Sequence, residues 1–209
     1  MLLKDRPDVL SRRSLRYGLP NLLTYGRILA VPLLALCFYL PSPVSHWAAF
    51  GVFVAASVTD FFDGYLARAW HQESAIGRML DPIADKMLVG GALFMLGATQ
   101  VIGYWSLIAG VVILNREYAV SGLREFLADL KVKVPVTYLA KAKTTFQMFA
   151  IAVLLISPVA DGWFYWHAIN GPVANFTGLV LLWSAAGVTV ITGFSYFRAG
   201  ITQIKEDDE

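Results

Sequence analysis

The sequence is poor in cysteine, histidine and charged residues. Of its 209 residues, one is a cysteine and three are histidines, which excludes a disulfide framework and any zinc site built on several cysteines. Charged residues make up 15% of the chain, compared with roughly 25% in an ordinary soluble domain. So little charge excludes a disordered chain and a nucleic-acid-binding tail, and it disfavours a soluble α/β enzyme. We therefore expect no nucleic-acid partner.

Apolar residues take the place of the missing charge. They make up 57% of the chain, and the mean hydropathy is +0.58. A membrane-spanning helix needs ~20 predominantly apolar residues, and six such runs can be read, at 22–40, 46–69, 75–101, 105–127, 136–156 and 173–197. The sequence thus predicts an all-α, polytopic integral membrane protein with six transmembrane helices and short loops, in which Pro158 ends the fifth helix.

Nothing in the sequence divides the chain into separate domains, because it contains no Gly/Ser linker, composition shift or internal repeat. We expect one domain over 1–209, made of a basic leader (1–19), a six-helix membrane domain (20–199) and an acidic tail (200–209). Residues 9–17 of the leader fit either a short interfacial helix on anionic lipid or a disordered charged tail.

Lysine and arginine are distributed unevenly between the two sides of the predicted bundle. On the side of the leader they occur in the leader, beside the loops near 71 and 131, and near the tail, at Lys4, Arg6, Arg12, Arg13, Arg16, Arg68, Arg78, Lys131, Lys133, Arg198 and Lys205. The opposite loops, near 42, 103 and 162, contain neither residue. Because positive residues are enriched on the cytoplasmic side, we predict a multi-pass protein of the cell (inner) membrane with both termini cytoplasmic.

Four aspartates stand at or near membrane depth, at Asp60, Asp63, Asp81 and Asp85. Each would cost roughly 2.5–3.5 kcal/mol if it faced lipid, so a functional role is the better explanation. The spacings i,i+3 and i,i+4 place each pair on one helix face. In an antiparallel helical hairpin the pairs would face each other at roughly 13 and 19 Å from the turn. Four carboxylates are therefore predicted to converge.

Carboxylates that close together cannot all be ionised without a partner. Oxygen-only ligation by aspartates suits Mg²⁺ or Mn²⁺ better than zinc, and four carboxylates suit two ions better than one. Two-metal sites typically act on displacements at phosphorus. Beside the aspartates, Gly64, Ala67 and Gly77 either leave backbone open to a ligand or serve helix packing. Arg68 either binds a phosphate or anchors its helix on the cytoplasmic side.

Together these residues form a pattern that resembles the signature of the CDP-alcohol phosphotransferase family, D-x-x-D-G-x-x-A-R-x8-G-x3-D-x3-D. The chain matches every fixed position, at Asp60, Asp63, Gly64, Ala67, Arg68, Gly77, Asp81 and Asp85. The resemblance implies six membrane helices, a homodimer, and two divalent metal ions held by the four aspartates. It also implies the family's reaction, in which the pyrophosphate of a CDP-linked donor is cleaved, CMP is released and the phosphatidyl group is joined to an alcohol.

The same resemblance implies roles for individual residues. Asp85 would be the general base as well as a metal ligand. Further residues would bind the CDP-linked lipid: Gly64, Ala67, Arg68 and Gly77 in the signature, Asn21 and Thr24 in a segment similar to the family's opening, and Ser74.

A cluster of basic residues on the fourth and fifth predicted helices bears on the acceptor. Its members are Arg116, Arg124, Lys141 and Lys143. Such a cluster beside a metal site suggests an anionic acceptor, and the alternative is an internal salt-bridge network with Glu117 and Glu125. The strings REYAVSGLREFLA and LAKAKTTFQM resemble segments of bacterial phosphatidylglycerophosphate synthases. That resemblance implies CDP-diacylglycerol and sn-glycerol 3-phosphate as substrates, with the basic cluster holding the acceptor phosphate.

Two other kinds of function fit parts of the pattern. Within the family, a cardiolipin synthase or an enzyme with an inositol-phosphate or serine acceptor would share the signature. Outside it, a divalent cation transporter would use the aspartates as an ion path. A transporter predicts acidic residues through the full membrane depth, whereas the outer halves of the six runs are apolar. Phosphatidyl transfer to glycerol 3-phosphate is therefore the leading prediction.

Overall fold

The computed structural model describes residues 19–70, 75–129, 138–164 and 173–207, and within these ranges the chain forms six α-helices and no strand. The helices are α1 (Leu19–Cys37), α2 (Val44–Trp70), α3 (Ala75–Ala98), α4 (Tyr104–Asp129), α5 (Tyr138–Phe164) and α6 (Val173–Asp207). The predicted all-α class is confirmed, as are the number and order of the helices. The leader segment 9–17 lies outside the described residues.

The prediction that Pro158 ends the fifth helix is wrong, since α5 continues through it to Phe164. A proline inside a helix has no N–H to donate to the carbonyl four residues earlier, which here belongs to Leu154. The hydroxyl of Ser157 donates to that carbonyl oxygen at 2.9 Å instead. The freed acceptor is therefore satisfied, and the helix can continue. At the other end of the chain, α6 extends to Asp207, so most of the predicted acidic tail is helical.

The helices pack in pairs around an apolar core. The most extensive contact is between α5 and α6, α4 packs on α6, and α1 packs on both α2 and α3. Leu34, Phe53, Ile113, Leu154 and Leu182 are among the fully buried side chains of this core. Over the described residues, α2 and α3 make little direct contact. The antiparallel hairpin expected from the sequence consists of α2 and α3, and these two helices are held together chiefly by their contacts with α1.

By length and composition, two of the described helices contain a segment that could cross a membrane, at Lys143–Ala160 and Val173–Arg198. A shorter apolar segment, Leu22–Cys37, lies in α1. The other helices carry charged residues within their apolar runs, such as Asp81, Asp85 and Lys86 in α3.

Candidate active site at one end of the bundle

Five helices surround a cavity of about 340 Å³. It is lined by Asp60 of α2, Asp81, Pro82, Asp85 and Lys86 of α3, Arg116, Glu117, Val120, Ser121 and Arg124 of α4, Lys143 and Thr144 of α5, and Tyr196 of α6. These residues belong to the later parts of α2, α4 and α6 and to the earlier parts of α3 and α5. Consecutive helices therefore run in opposite directions, and the cavity lies at one end of the bundle. This is the end that the sequence predicts to be cytoplasmic.

The lining includes three of the predicted aspartates, Asp60, Asp81 and Asp85, which we call the acidic wall. The structure thus brings three of the predicted aspartates to one cavity, and their convergence on metal ions stays a prediction. The fourth, Asp63, lies on α2, and its side chain is outside the described part of the chain.

Two side chains of helix α1 contact aspartates of the acidic wall. Thr24 is buried, and its hydroxyl donates to Asp81 Oδ1 at 2.6 Å. One turn further on, the fully buried guanidinium of Arg27 forms an ion pair with Asp60, whose side chain remains 41% exposed. Because a buried charge needs a partner of opposite sign, Arg27 fixes Asp60 at the edge of the cavity. Thr24 was predicted to contact the donor, and the structure shows its hydroxyl engaged with Asp81.

The lining also includes the cations Arg116, Arg124 and Lys143, which we call the basic wall. Arg124 is exposed, whereas Lys143 is almost completely buried and its ammonium group pairs with the carboxylate of Glu117. Arg116 Nη1 lies 3.6 Å from Glu117 Oε1. The salt-bridge interpretation of the basic cluster is therefore confirmed for Arg116 and Lys143, which share Glu117 as a counter-ion, whereas binding of an anionic acceptor stays a prediction.

The remaining predicted site residues are placed only in part. Asn21, Gly64, Ala67, Arg68 and Lys141 lie on described helices, with side chains outside the described part of the structure. Ser74 lies outside the described residues altogether. Gly77 is buried near the beginning of α3. Their predicted roles in binding the donor and the acceptor stay predictions.

The chemistry of the acidic wall fits a hard divalent cation, because its donor atoms are carboxylate oxygens only. Among the side chains that the structure describes, no group of three or more His, Cys, Asp or Glu residues could hold a metal ion. The predicted set includes Asp63, whose side chain is not among them. Asp60, Asp81 and Asp85 are thus the described portion of the predicted ligand set.

Several residues that line the cavity, and Arg27, which pairs with Asp60 of its lining, were given no role from the sequence. Arg27 stands in an apolar run three residues after Thr24, and this i,i+3 spacing together with an isolated charge was the available signal. Tyr196 lies on α6, which resembled generic apolar sequence. Lys86, next to Asp85, and Ser121 and Thr144 carry no pattern that separates them from ordinary helix-surface residues.

The chain is similar to known proteins over most of its length. The sequence profile of the family described as CDP-alcohol phosphatidyltransferase matches residues 17–191. A relative from Rickettsia bellii is 46% identical over 182 residues, which cover 87% of this chain and 94% of the relative. Relatives from Cereibacter sphaeroides (40% over 220 residues, 92% of this chain and 100% of the relative) and Escherichia coli (36% over 187 residues, 88% and 96%) are also similar. All three are named CDP-diacylglycerol–glycerol-3-phosphate 3-phosphatidyltransferase.

Proposed function

Because this chain belongs to the CDP-alcohol phosphatidyltransferase family, we propose that it transfers the phosphatidyl group of CDP-diacylglycerol to sn-glycerol 3-phosphate. The products are phosphatidylglycerophosphate and CMP, and the reaction is a step of phospholipid biosynthesis. The names of the relatives support this assignment. The observation that carries it is one cavity that is lined by both the acidic wall and the basic wall. A metal-assisted displacement at phosphorus needs carboxylates that hold the metal ions, and an anionic acceptor needs cations that bind it.

In the proposed reaction, the acceptor hydroxyl attacks the phosphorus that bears the diacylglycerol group, and the bond from that phosphorus to the CMP oxygen breaks. An alcohol is a weak nucleophile, so the hydroxyl proton must be removed as the new bond forms. We assign this role to the carboxylate of Asp85, which lines the same cavity as Lys143 of the basic wall. The proton passes from the hydroxyl to Asp85, and the electron pair of the broken bond leaves on CMP.

The family generally uses divalent metal ions. We propose that Asp60, Asp63, Asp81 and Asp85 hold two such ions, Mg²⁺ or Mn²⁺. When bound, such ions lower the barrier by neutralising charge on the pyrophosphate and on the attacking oxygen. Two residues of α1 orient two of these carboxylates, since Thr24 contacts Asp81 and Arg27 contacts Asp60. Supporting hydrogen bonds and ion pairs commonly orient metal ligands in this way.

For the donor, we propose that Gly64, Ala67 and Gly77 leave backbone accessible to the cytidine nucleotide and that Arg68 binds its phosphates. Asn21, Thr24 and Ser74 are the further candidate contacts. For the acceptor, we propose that the basic wall and Lys141 bind the phosphate of glycerol 3-phosphate. Arginine is well suited to this task, because its planar fork of donors matches a phosphate bidentately.

The family is membrane-embedded, and we propose that all six helices span the inner membrane as a single domain, with both termini cytoplasmic. The support is the location of the charged cavity at one end of the bundle and the many apolar side chains on its surface. Phe94, Phe149 and Phe194 are among the most exposed of these, as expected of a surface that meets lipid or a second copy of the chain. We also propose a homodimer, as the family resemblance implies.

The proposal is tested by measuring CMP release from CDP-diacylglycerol by the purified protein in detergent. Glycerol 3-phosphate, phosphatidylglycerol, inositol phosphate and serine are offered separately, with Mg²⁺, with Mn²⁺ and with excess chelator. We expect release with glycerol 3-phosphate only, complete loss in chelator, and recovery when the ion is restored. Release with another alcohol but not with glycerol 3-phosphate would contradict the proposed acceptor. Turnover that persists in chelator would contradict the proposed use of metal ions.

A further inference from the structure

Arg116 of the basic wall is held by α6, a helix to which neither the sequence nor the proposed mechanism gives a role. Its Nη2 atom donates a hydrogen bond to Thr192 Oγ1 at 3.0 Å. Thr192 is buried, and its own hydroxyl hydrogen is directed to the carbonyl oxygen of Val188 at 2.8 Å. Since a hydroxyl has one hydrogen and two acceptor lone pairs, this arrangement leaves a lone pair oriented for Arg116.

The next residue of α6, Gly193, makes room for the Arg116 side chain. A Cβ at position 193 would lie 2.9 Å from Arg116 Cγ and 3.2 Å from its Nε, which is closer than side chains pack. Glycine in a helix interior costs about 1 kcal/mol relative to alanine, so its presence here fits a requirement for close approach. Tyr196, one turn after Thr192, is buried and lines the same cavity.

The other two cations of the basic wall are held differently. Lys143 is engaged by Glu117, and Arg124 is exposed. Arg116 touches the same carboxylate only at 3.6 Å, and its orientation is fixed mainly from α6. A free arginine side chain carries about 2 kcal/mol of rotamer entropy, which is lost when it binds a ligand unless the side chain is already ordered. Ordering by α6 therefore bears directly on how tightly Arg116 can bind an anion.

We infer that Thr192 and Gly193 form a seat for Arg116, acting as positioning residues that set the affinity of the cavity for the phosphate group of the acceptor. The inference rests on the proposed function in one respect, namely that the basic wall binds that phosphate. It adds α6 to the acceptor site and makes a hydroxyl outside the cavity lining a determinant of acceptor affinity.

The test compares Thr192→Val, which removes the hydroxyl at nearly constant shape, with Thr192→Ser, which keeps it. Hydrogen bonds to charged groups contribute about 1.5–3 kcal/mol, so we expect Thr192→Val to raise the KM for glycerol 3-phosphate about tenfold or more. The KM for CDP-diacylglycerol should stay within about twofold, because Arg116 is not among the proposed donor contacts. Thr192→Ser should restore the acceptor KM.

Thr177→Val is the matched control for the hydroxyl. Thr177 also lies on α6 and donates to the carbonyl four residues earlier, Val173, at 2.7 Å, but it is exposed and belongs to the opposite end of the helix. We expect this variant to have wild-type kinetics. Gly193→Ala is an independent test that displaces Arg116 without touching the hydroxyl, and it should also raise the acceptor KM. Its control is Gly187→Ala, since a Cβ at position 187 meets nothing within 4 Å.

The outcomes separate this inference from the proposed function. If the wild-type protein releases no CMP with glycerol 3-phosphate, the proposed function fails. If the wild-type protein is active and Thr192→Val leaves the acceptor KM unchanged, or raises the KM of donor and acceptor alike, the inference fails while the proposed function stands. Thermal unfolding in detergent checks that each variant folds. If Thr192→Val does not fold, an unchanged acceptor KM in folded Gly193→Ala overturns the inference.

Discussion

Asp63 and Asp85 belong to the same predicted ligand set but are assigned different chemistry. Asp85→Asn should abolish CMP release while leaving part of the metal and donor binding, because an amide can still ligate but cannot accept the hydroxyl proton. Asp63→Asn should weaken metal binding itself. Titration of Mn²⁺ or Mg²⁺ into each purified variant, beside the CMP assay, measures the difference. Equal loss of metal affinity in both variants would contradict a separate role of Asp85 as base.

The ion pair between Arg27 and Asp60 gives a prediction about stability. Arg27 is fully buried and Asp60 is partly exposed, so the pair lies between surface pairs, which contribute under ~1 kcal/mol, and buried pairs, whose disruption costs ~3–5 kcal/mol. We expect Arg27→Met to lower the free energy of unfolding by about 2 kcal/mol on the same scale. Thermal or denaturant unfolding in detergent, followed by circular dichroism, measures the change.

A double variant separates charge pairing from packing at this position. If Arg27 acts by neutralising Asp60, Asp60→Asn in the Arg27→Met background should recover much of the lost stability, because no unpaired carboxylate then remains. It should not recover CMP release, since Asp60 is a proposed metal ligand. If the double variant loses as much stability as the two single variants together, Arg27 stabilises the bundle by packing alone.

At the scale of the helix, the contact between α5 and α6 depends on small residues. A Cβ at Gly178 of α6 would lie 2.7 Å from both Cγ and Cδ2 of Leu154 and 3.4 Å from its backbone nitrogen. The added methyl group therefore cannot be accommodated by a movement of the leucine tip alone. This is the same turn of α5 in which Ser157 donates to the carbonyl of Leu154 ahead of Pro158.

Gly178→Ala should accordingly destabilise the protein, although alanine is the better helix former. Overpacking costs ~1–3 kcal/mol, which exceeds the gain of up to ~1 kcal/mol in helix propensity. Gly187→Ala in the same helix should be neutral or slightly stabilising, because the space beside it is open. Unfolding midpoints of the two variants in one detergent provide the comparison. A destabilised Gly187→Ala beside an unchanged Gly178→Ala would contradict this account of the interface.

For the molecule as a whole, the distribution of charge predicts a topology that can be measured. Cys37 is the one cysteine, so a Cys37→Ser background permits single cysteines to be introduced at chosen loops. A membrane-impermeant thiol reagent should label Ser42→Cys and Gly103→Cys in cells whose outer surface is accessible. It should label Gln72→Cys only after the membrane is permeabilised. Labelling of Gln72→Cys before permeabilisation would reverse the proposed orientation.

Much of the architecture could be predicted from local features of the sequence. Six apolar runs predicted six helices in the observed order, because helix formation and burial respond to residues that are neighbours along the chain. Pro158 was the exception, since the effect of a proline depends on whether another group satisfies the carbonyl it frees. The hydroxyl of Ser157 does so, and a single hydrogen bond of that kind has no signature in the amino-acid pattern.

The sequence by itself determined which chemical groups this protein brings to its site. Charged residues in apolar runs are costly and therefore stand out. Spacing identifies Asp60, Asp81 and Asp85 as candidate site residues, and position beside them identifies Arg116 and Lys143. The cavity confirms that they lie together. Only the tertiary structure decided which residues hold those groups in place.

Those supporting contacts join residues that are distant along the chain. Thr24 reaches Asp81 across 57 positions, and Arg116 reaches Thr192 across 76. Each depends on how α1 and α6 pack against the helices that carry the charges. Periodicity and composition specify which face of a helix is apolar, but not which polar atom of another helix will meet it. The charges of the site are therefore readable from the sequence, and their orientation follows from the packing of the bundle.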